Sequence, residues 1–88
     1  MKESILYQFG QQIRALRIQY KLTQEELAHR SHISLKYIQR IEGKNPPNIG
    51  LVISEKLANG FGITITELFQ FKIKTETKNK KISKLSSN

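Results

Sequence analysis

Apolar residues near the start of the chain recur at steps of three and four. The residues that follow this spacing are Leu6, Phe9, Ile13, Leu16 and Tyr20. On an α-helix such residues form one stripe. The segment from Ser4 to Tyr20 is therefore predicted to be the first helix, with this stripe facing the core.

A capping signal predicts a second helix. Thr23 and Glu26 have the spacing of a capping box, in which the threonine hydroxyl accepts a hydrogen bond from the third amide of the helix and the glutamate reaches back. The second helix is expected at about residues 24–31, burying Leu27 and Ala28.

The third helix is expected at residues 35–42. Ser34 is a good N-cap, and Ile38 and Ile41 share the inner face of the helix that follows. Gly43 lies just past the end, where we expect a left-handed residue.

A fourth helix follows a loop with two prolines. Pro46 and Pro47 lack backbone donors, so residues 44–48 are predicted to be non-helical. The fourth helix is expected at about residues 49–60, with Gly62 closing it. The residues that it is expected to bury are Leu51, Leu57, Ala58 and Phe61.

A last short helix is expected at residues 66–69, capped by Thr66, so the body is predicted to be all-α with five helices. Beyond this helix, Phe69, Phe71 and Ile73 alternate with polar residues, a period typical of a strand. Either this short strand pairs with a second copy of the chain, or the alternation is accidental.

The chain is strongly basic, and the charge is unevenly distributed. Its 88 residues form one small domain, and 15 Lys and Arg against 7 Asp and Glu give a net charge of +8. This excess favours a polyanionic partner, nucleic acid first and an anionic membrane surface second. Residues 1–71 carry a net +3 and residues 72–88 a net +5. We therefore divide the chain into a folded domain at 1–71 and a basic tail at 72–88.

Several kinds of site are not expected. The chain has no cysteine, which excludes disulfides, zinc–thiolate sites and thiol catalysis. His29 and His32 lack further ligands for a metal ion, and so small a body leaves no cleft for a Ser/His/Asp set. We expect no enzymatic activity, no cofactor, no metal and no small-molecule ligand.

The sequence also indicates a location. No apolar run approaches the roughly 18 residues that a membrane span needs, so no membrane-spanning segment is expected, and nucleic acid is preferred to a membrane as the partner. Gln and Glu interrupt the apolar residues near the N-terminus too early for a signal peptide. The expected compartment is the cytoplasm.

Several sequence blocks occur in an order typical of one family. The central block is LTQEELAHRSHISLKYIQRIE at residues 22–42, and supporting blocks lie at 9–17, 48–51 and 57–69. About residues 6–70 thus resemble the phage repressor and Cro-type helix-turn-helix proteins of the XRE family. The resemblance implies a five-helix lambda-repressor-like DNA-binding domain. It departs at His32, where the family usually has a left-handed glycine, a conformation that histidine tolerates better than most residues.

The third helix is the candidate DNA-recognition helix. A helical wheel places Lys36 and Arg40 opposite the apolar face, where two cations suit a major groove. The alternative is an ordinary solvated surface. The family's base-contacting positions fall on Leu35, Lys36 and Arg40, and base contacts are also expected from Ser34 and Tyr37.

Phosphate contacts are expected around this helix. Gln24 matches a family position that holds a phosphate at a helix N-terminus, where oriented N–H groups favour an anion. Gln39, Lys44 and Asn45 are further candidates. The loop that contains Lys44 differs in length from the usual family pattern, and Gly50 replaces the usual Ser or Thr cap.

One charged pair is expected to be structural. Glu42 falls on the inner side of the third helix, where a carboxylate needs a partner, and Arg17 lies on the inner face of the first helix. The matched family positions form a salt bridge, so we expect Arg17 to pair with Glu42 and not to contact DNA. The alternative is two independent surface charges.

The resemblance implies a transcriptional regulator that binds double-stranded DNA as a homodimer on a pseudo-palindromic operator. Restriction-modification controller proteins, small phage repressors and single-domain antitoxins all fit, with the controller type favoured. The apolar residues at the C-terminal end predict a dimer interface at Ile65, Phe69 and Phe71. The alternatives are an antitoxin-like protein whose main role is to bind a partner protein, and non-specific coating of nucleic acid by the tail.

Overall fold

The computed structural model describes residues 4–72, and within this range the fold is all-α, as predicted. The five helices are α1 (Ile5–Gln19), α2 (Gln24–Ser31), α3 (Leu35–Ile41), α4 (Leu51–Phe61) and α5 (Ile65–Leu68). None of the helices in residues 4–72 has the length and apolar character required to cross a bilayer.

The N-termini of the first three helices are fixed by side-chain caps. Ser4 and Ser34 each accept a hydrogen bond from the amide three residues later. At α2, Thr23 Oγ1 accepts from the Glu26 amide at 3.0 Å, and Glu26 Oε1 accepts from the Thr23 amide at 2.7 Å. The predicted capping box is confirmed. Because caps of this kind contribute about 1 kcal/mol each, these boundaries follow from local sequence.

A single hydrophobic core joins the helices. Its fully buried side chains, which come from all five helices, are Ile13, Leu27, Ile38, Ile41, Leu57 and Leu68. Helix α2 packs against both α3 and α4, and α1 packs against α3. The helix-turn-helix pair is thereby held between the first and fourth helices.

The expected burial of Leu51 was wrong. Helix α4 begins at Leu51 and not near Ile49, and the Leu51 side chain is 78% exposed. Its spacing from Ser54 and Leu57 places it near the buried stripe, but the first turn of α4 extends beyond the edge of the core. Val52 beside it is also exposed.

Two glycines mark the points where helices touch through their backbones. A Cβ built on Gly10 of α1 would collide with the carbonyl oxygen of Ile41 in α3, and one built on Gly60 of α4 would lie 2.9 Å from the Ser31 Cβ in α2. Gly10 and Gly60 therefore set how closely α1 approaches α3 and α4 approaches α2.

The turn between α2 and α3 contains the expected left-handed residue. His32 has φ 57° and ψ 39°, and the next amide, that of Ile33, donates to the Ala28 carbonyl at 3.0 Å. Lys21, after α1, is left-handed in the same way, with φ 58°, which the sequence analysis did not anticipate. Gly62 closes α4 with φ 75°, as predicted.

Gly43 does not take the left-handed conformation that was predicted for it. Helix α3 ends at Ile41, its C-cap Glu42 stays right-handed with φ −86°, and the Gly43 amide donates to the Arg40 carbonyl at 3.1 Å. The helix thus ends by tightening its last turn, which satisfies the terminal carbonyl without a left-handed residue.

The cap of α5 is Thr64 and not the predicted Thr66. Thr64 and Glu67 form a complete capping box, with hydrogen bonds of 3.0 and 2.9 Å. The signal was present in the sequence, because Thr64 has a glutamate three residues later. Residues 69–72 form no strand. The rest of the predicted strand and most of the predicted tail, from residue 73 onward, lie outside the described residues.

The close contact at Gly10 makes Gly10→Ala destabilising. In an ordinary helix interior this change would stabilise by about 1 kcal/mol. Here the new methyl group meets a backbone carbonyl, so we expect a net loss of about 2 kcal/mol in the free energy of unfolding. Urea denaturation measures it, with Gly50→Ala as the control because a Cβ there meets nothing within 4 Å. An unchanged midpoint for Gly10→Ala would contradict the contact.

The backbone of His32 makes His32→Gly stabilising. Glycine takes the left-handed conformation without strain, and the His32 side chain is exposed, so we expect a gain of about 1 kcal/mol in the free energy of unfolding. His29→Gly is the matched control, because the same change inside α2 should cost about 1 kcal/mol. The melting temperature should rise for His32→Gly and fall for His29→Gly. A lower melting temperature for both variants would exclude backbone strain at His32.

Candidate nucleic-acid interface

The outward face of α3 presents two cations. Lys36 and Arg40 are exposed, whereas Ile38 and Ile41 on the opposite face are completely buried. The Arg40 guanidinium carbon lies 6.0 Å from the centroid of the half-buried Tyr37 ring, the outer limit of a cation–π contact. The buried face of α3 therefore fixes the helix in the core, and its outer face presents two long cationic side chains as hydrogen-bond donors.

The other predicted base-contacting residues lie at the start of α3. The Ser34 hydroxyl accepts a hydrogen bond from the Tyr37 amide at 3.1 Å, which leaves its own O–H available as a donor. Leu35 is half-buried and packs against the core, so only part of its side chain is accessible. Four of the five predicted residues thus retain a polar group, and Leu35 offers an apolar surface.

The predicted ion pair between Arg17 and Glu42 is present and bidentate. Arg17 Nε donates to Glu42 Oε2 at 2.8 Å, and Arg17 Nη2 donates to Glu42 Oε1 at 2.9 Å. Arg17 Nη1 also donates to the Leu22 carbonyl at 3.0 Å. The hydrogen bonds to Glu42 raise the pKa of Arg17 above its ordinary value, although burial opposes this shift. The pair joins α1, the segment before α2 and the end of α3.

Gln24 belongs to the same network. Its Nε2 donates to Glu42 Oε1 at 3.1 Å, and its side chain is half-buried at the first position of α2. This contact was not predicted, since the two residues lie 18 positions apart and their approach depends on the angle between α2 and α3. The predicted phosphate contact at Gln24 therefore involves a side chain that already has a protein partner.

The remaining predicted phosphate contacts are exposed. Gln39 lies in α3, and Lys44 and Asn45 lie in the loop that leaves it. Lys44 and Asn45 follow α3 along the chain, and all three residues are exposed. Their side chains are accessible to a polyanion, and Lys44 adds a third cation to those of Lys36 and Arg40.

The predicted dimer residues lie at the C-terminal end of the described structure. Ile65 is 37% exposed and Phe69 is 42% exposed. The Phe69 ring stacks on Phe9 at a centroid distance of 5.3 Å, and Phe71 lies tilted against Phe9 at 6.4 Å. Phe69 and Phe71 thus pack partly on α1, leaving part of their apolar surface uncovered.

One aromatic residue at this end of the domain belongs to the core, as predicted. Phe61 is buried in the core, where it lies against the Tyr20 ring at 5.7 Å. The structure shows exposed apolar side chains that the sequence analysis missed, namely Ile5, Ile18, Leu51 and Val52. Tyr20, which was expected in the core-facing stripe of α1, is the C-cap of that helix and is 43% exposed. An apolar groove of about 310 Å³ lies between the start of α1, the start of α4 and the rings of Phe69 and Phe71.

Within residues 4–72 no three potential metal-binding side chains come together. His29 lies inside α2, and His32 occupies the turn that follows it. The arrangement that the described residues do offer is a helix with outward cations, next to a helix N-terminus and a loop that carry polar side chains.

Comparisons with known proteins agree with this arrangement. Residues 10–72 match the sequence model of a helix-turn-helix domain. The restriction-modification controller protein C.AhdI from Aeromonas hydrophila is 39% identical, with a TM-score of 0.67 over 73% of this chain and 96% of that chain. A single-residue mutant of the restriction-modification controller protein C.Esp1396I is 27% identical, with a TM-score of 0.70 over 78% of this chain and 87% of that chain. Curated protein sequences gave no match.

Proposed function

We propose that this chain, which belongs to the helix-turn-helix domain family and is a DNA-binding regulator, controls transcription in the manner of a restriction-modification controller protein. The observation that carries the proposal is the likeness to C.AhdI along nearly all of that protein's length. A regulator of this type acts on DNA in the cytoplasm and catalyses no reaction.

In this proposal α3 enters the major groove. Lys36 and Arg40 point away from the core and can each donate to O6 and N7 of guanine. Ser34 and Tyr37 add hydrogen-bonding groups, and Leu35 offers an apolar surface to a thymine methyl group. Because the core fixes the opposite face of α3, these side chains would approach the bases in a fixed order.

Phosphate contacts would set the position of the domain on the duplex. Gln24 lies at the N-terminus of α2, where oriented amides favour an anion, and Gln39, Lys44 and Asn45 lie beside the recognition helix. The net charge of +8 supports binding through the backbone, which carries no sequence information of its own.

The regulator is further proposed to act as a homodimer. Two copies would place two α3 helices in successive major grooves of a pseudo-palindromic operator, with half-sites about one helical turn apart. The partly exposed apolar residues Ile65, Phe69 and Phe71 support a two-fold interface at the C-terminal end of the domain.

Arg40→Ala tests sequence recognition. We expect it to cost roughly 1–3 kcal/mol on the preferred operator and to relax the preference at one base position in each half-site. Selection of binding sites from randomised DNA measures this preference. Arg14→Ala, which removes an exposed arginine from α1, is the control for loss of charge alone. An equal loss of affinity for every sequence would contradict base recognition by Arg40.

Ile65→Asp tests the dimer. A negative charge at the first position of α5 interacts favourably with the helix dipole, so the fold should persist. The same charge, buried in the apolar interface, should prevent association. Sedimentation should show a dimer for the wild-type chain and a monomer for Ile65→Asp. Ile18→Asp, a change at an exposed apolar residue of α1, should leave the dimer intact. A wild-type monomer both free and on operator DNA would exclude the interface.

A further inference from the structure

The Glu42 carboxylate connects the end of the recognition helix to the start of α2. Its side chain is only 3% exposed, and Arg17, its ion-pair partner, is 14% exposed. The carboxylate accepts two hydrogen bonds from Arg17 and one from Gln24. One buried group therefore contacts both a residue of α1 and the first residue of α2.

The chemistry of the two groups fixes the orientation of the Gln24 amide. A carboxylate can only accept hydrogen bonds, so the amide must turn its nitrogen toward Glu42. The same nitrogen carries a second N–H, which can donate to a phosphate oxygen. If the amide were rotated by half a turn, its carbonyl oxygen would take the place of the nitrogen, and an oxygen repels a phosphate.

We propose that Glu42 is a positioning residue for DNA binding, which holds the Gln24 amide in the orientation that donates to a backbone phosphate. The proposal rests on the proposed function, because it assumes an operator complex with a phosphate at the start of α2. It assigns Glu42 a role beyond the stability of the ion pair.

The position of Glu42 also links the phosphate contact of Gln24 to the base contacts of the recognition helix. Glu42 is the C-cap of α3 and directly follows the buried Ile41. The residue that ends the recognition helix thus also orients a phosphate donor on α2. A phosphate contact by Gln24 and a base contact by Arg40 would then be made together, at a separation that the protein sets before it meets DNA.

The experiment replaces single operator phosphates with neutral methylphosphonates. For the wild-type chain we expect one phosphate in each half-site at which the replacement weakens binding roughly tenfold, the value of a hydrogen bond to a charged group. Gln24→Met should remove this sensitivity. Glu42→Gln should reduce it, because a glutamine can donate to the Gln24 oxygen and so permits the rotated amide. Gln19→Met, the same change at the end of α1, should leave it unaltered.

The double variant separates positioning from stability. If Glu42 acts through Gln24, Glu42→Gln should weaken operator binding in the wild-type background but cause no further loss in the Gln24→Met background, where a purely structural effect would persist. If Glu42→Gln lowers the melting temperature but keeps the full phosphate sensitivity, Glu42 is purely structural and the proposal is overturned.

A second variant leaves the ion pair untouched. Gln24→Asn keeps the amide but is one methylene too short to maintain the contact with Glu42, so the sensitivity should again be lost; its retention would overturn the proposal. A wild-type chain that shows no sequence-specific binding refutes the proposed function itself. Specific binding with a sensitivity that Gln24→Met does not change refutes only the inference about Glu42.

Discussion

The arrangement of the three N-terminal helices depends on the ion pair between Arg17 and Glu42. A buried carboxylate is costly unless its oxygens are satisfied, and here both accept from one planar guanidinium. The third nitrogen of Arg17 donates to the Leu22 carbonyl, so one side chain of α1 fixes the chain on both sides of α2. The hydrophobic core keeps these helices together, whereas the geometry of the pair determines how they are oriented.

Most parts of the fold that depend on local interactions were predicted from the sequence, although the cap of α5 was placed at Thr66 and not at Thr64. The caps at Thr23 and Ser34 involve residues within one helical turn, so their spacing identified where α2 and α3 begin. The prediction failed where the outcome depends on what lies nearby in space. Leu51 has a suitable period but no neighbour to bury it, and the contact between Gly10 and Ile41 depends on the crossing of two helices distant in sequence.

The candidate site likewise contains residues that sequence patterns predicted and a contact that depends on the tertiary fold. Lys36 and Arg40 were assigned to the outer face of α3 because helical periodicity alone decides it, and their base contacts remain predictions. The partnership of Arg17 and Glu42 was expected because a charge on an inner face requires a counter-charge. Gln24 was expected to face only a phosphate, because no pattern in the sequence reveals that the turn brings its amide to Glu42.

Helix α5 has only four residues, too few for a helix to persist alone in water. Its order comes from the capping box of Thr64 and Glu67 and from the burial of Leu68. The side chains of Ile65 and Phe69 keep their arrangement only while Leu68 remains in the core. In the proposed dimer, local opening of α5 and self-association would therefore be linked equilibria. A rising protein concentration would then order this end of the domain as well as fill the operator, and the occupied fraction of the operator would respond more steeply to gene dosage.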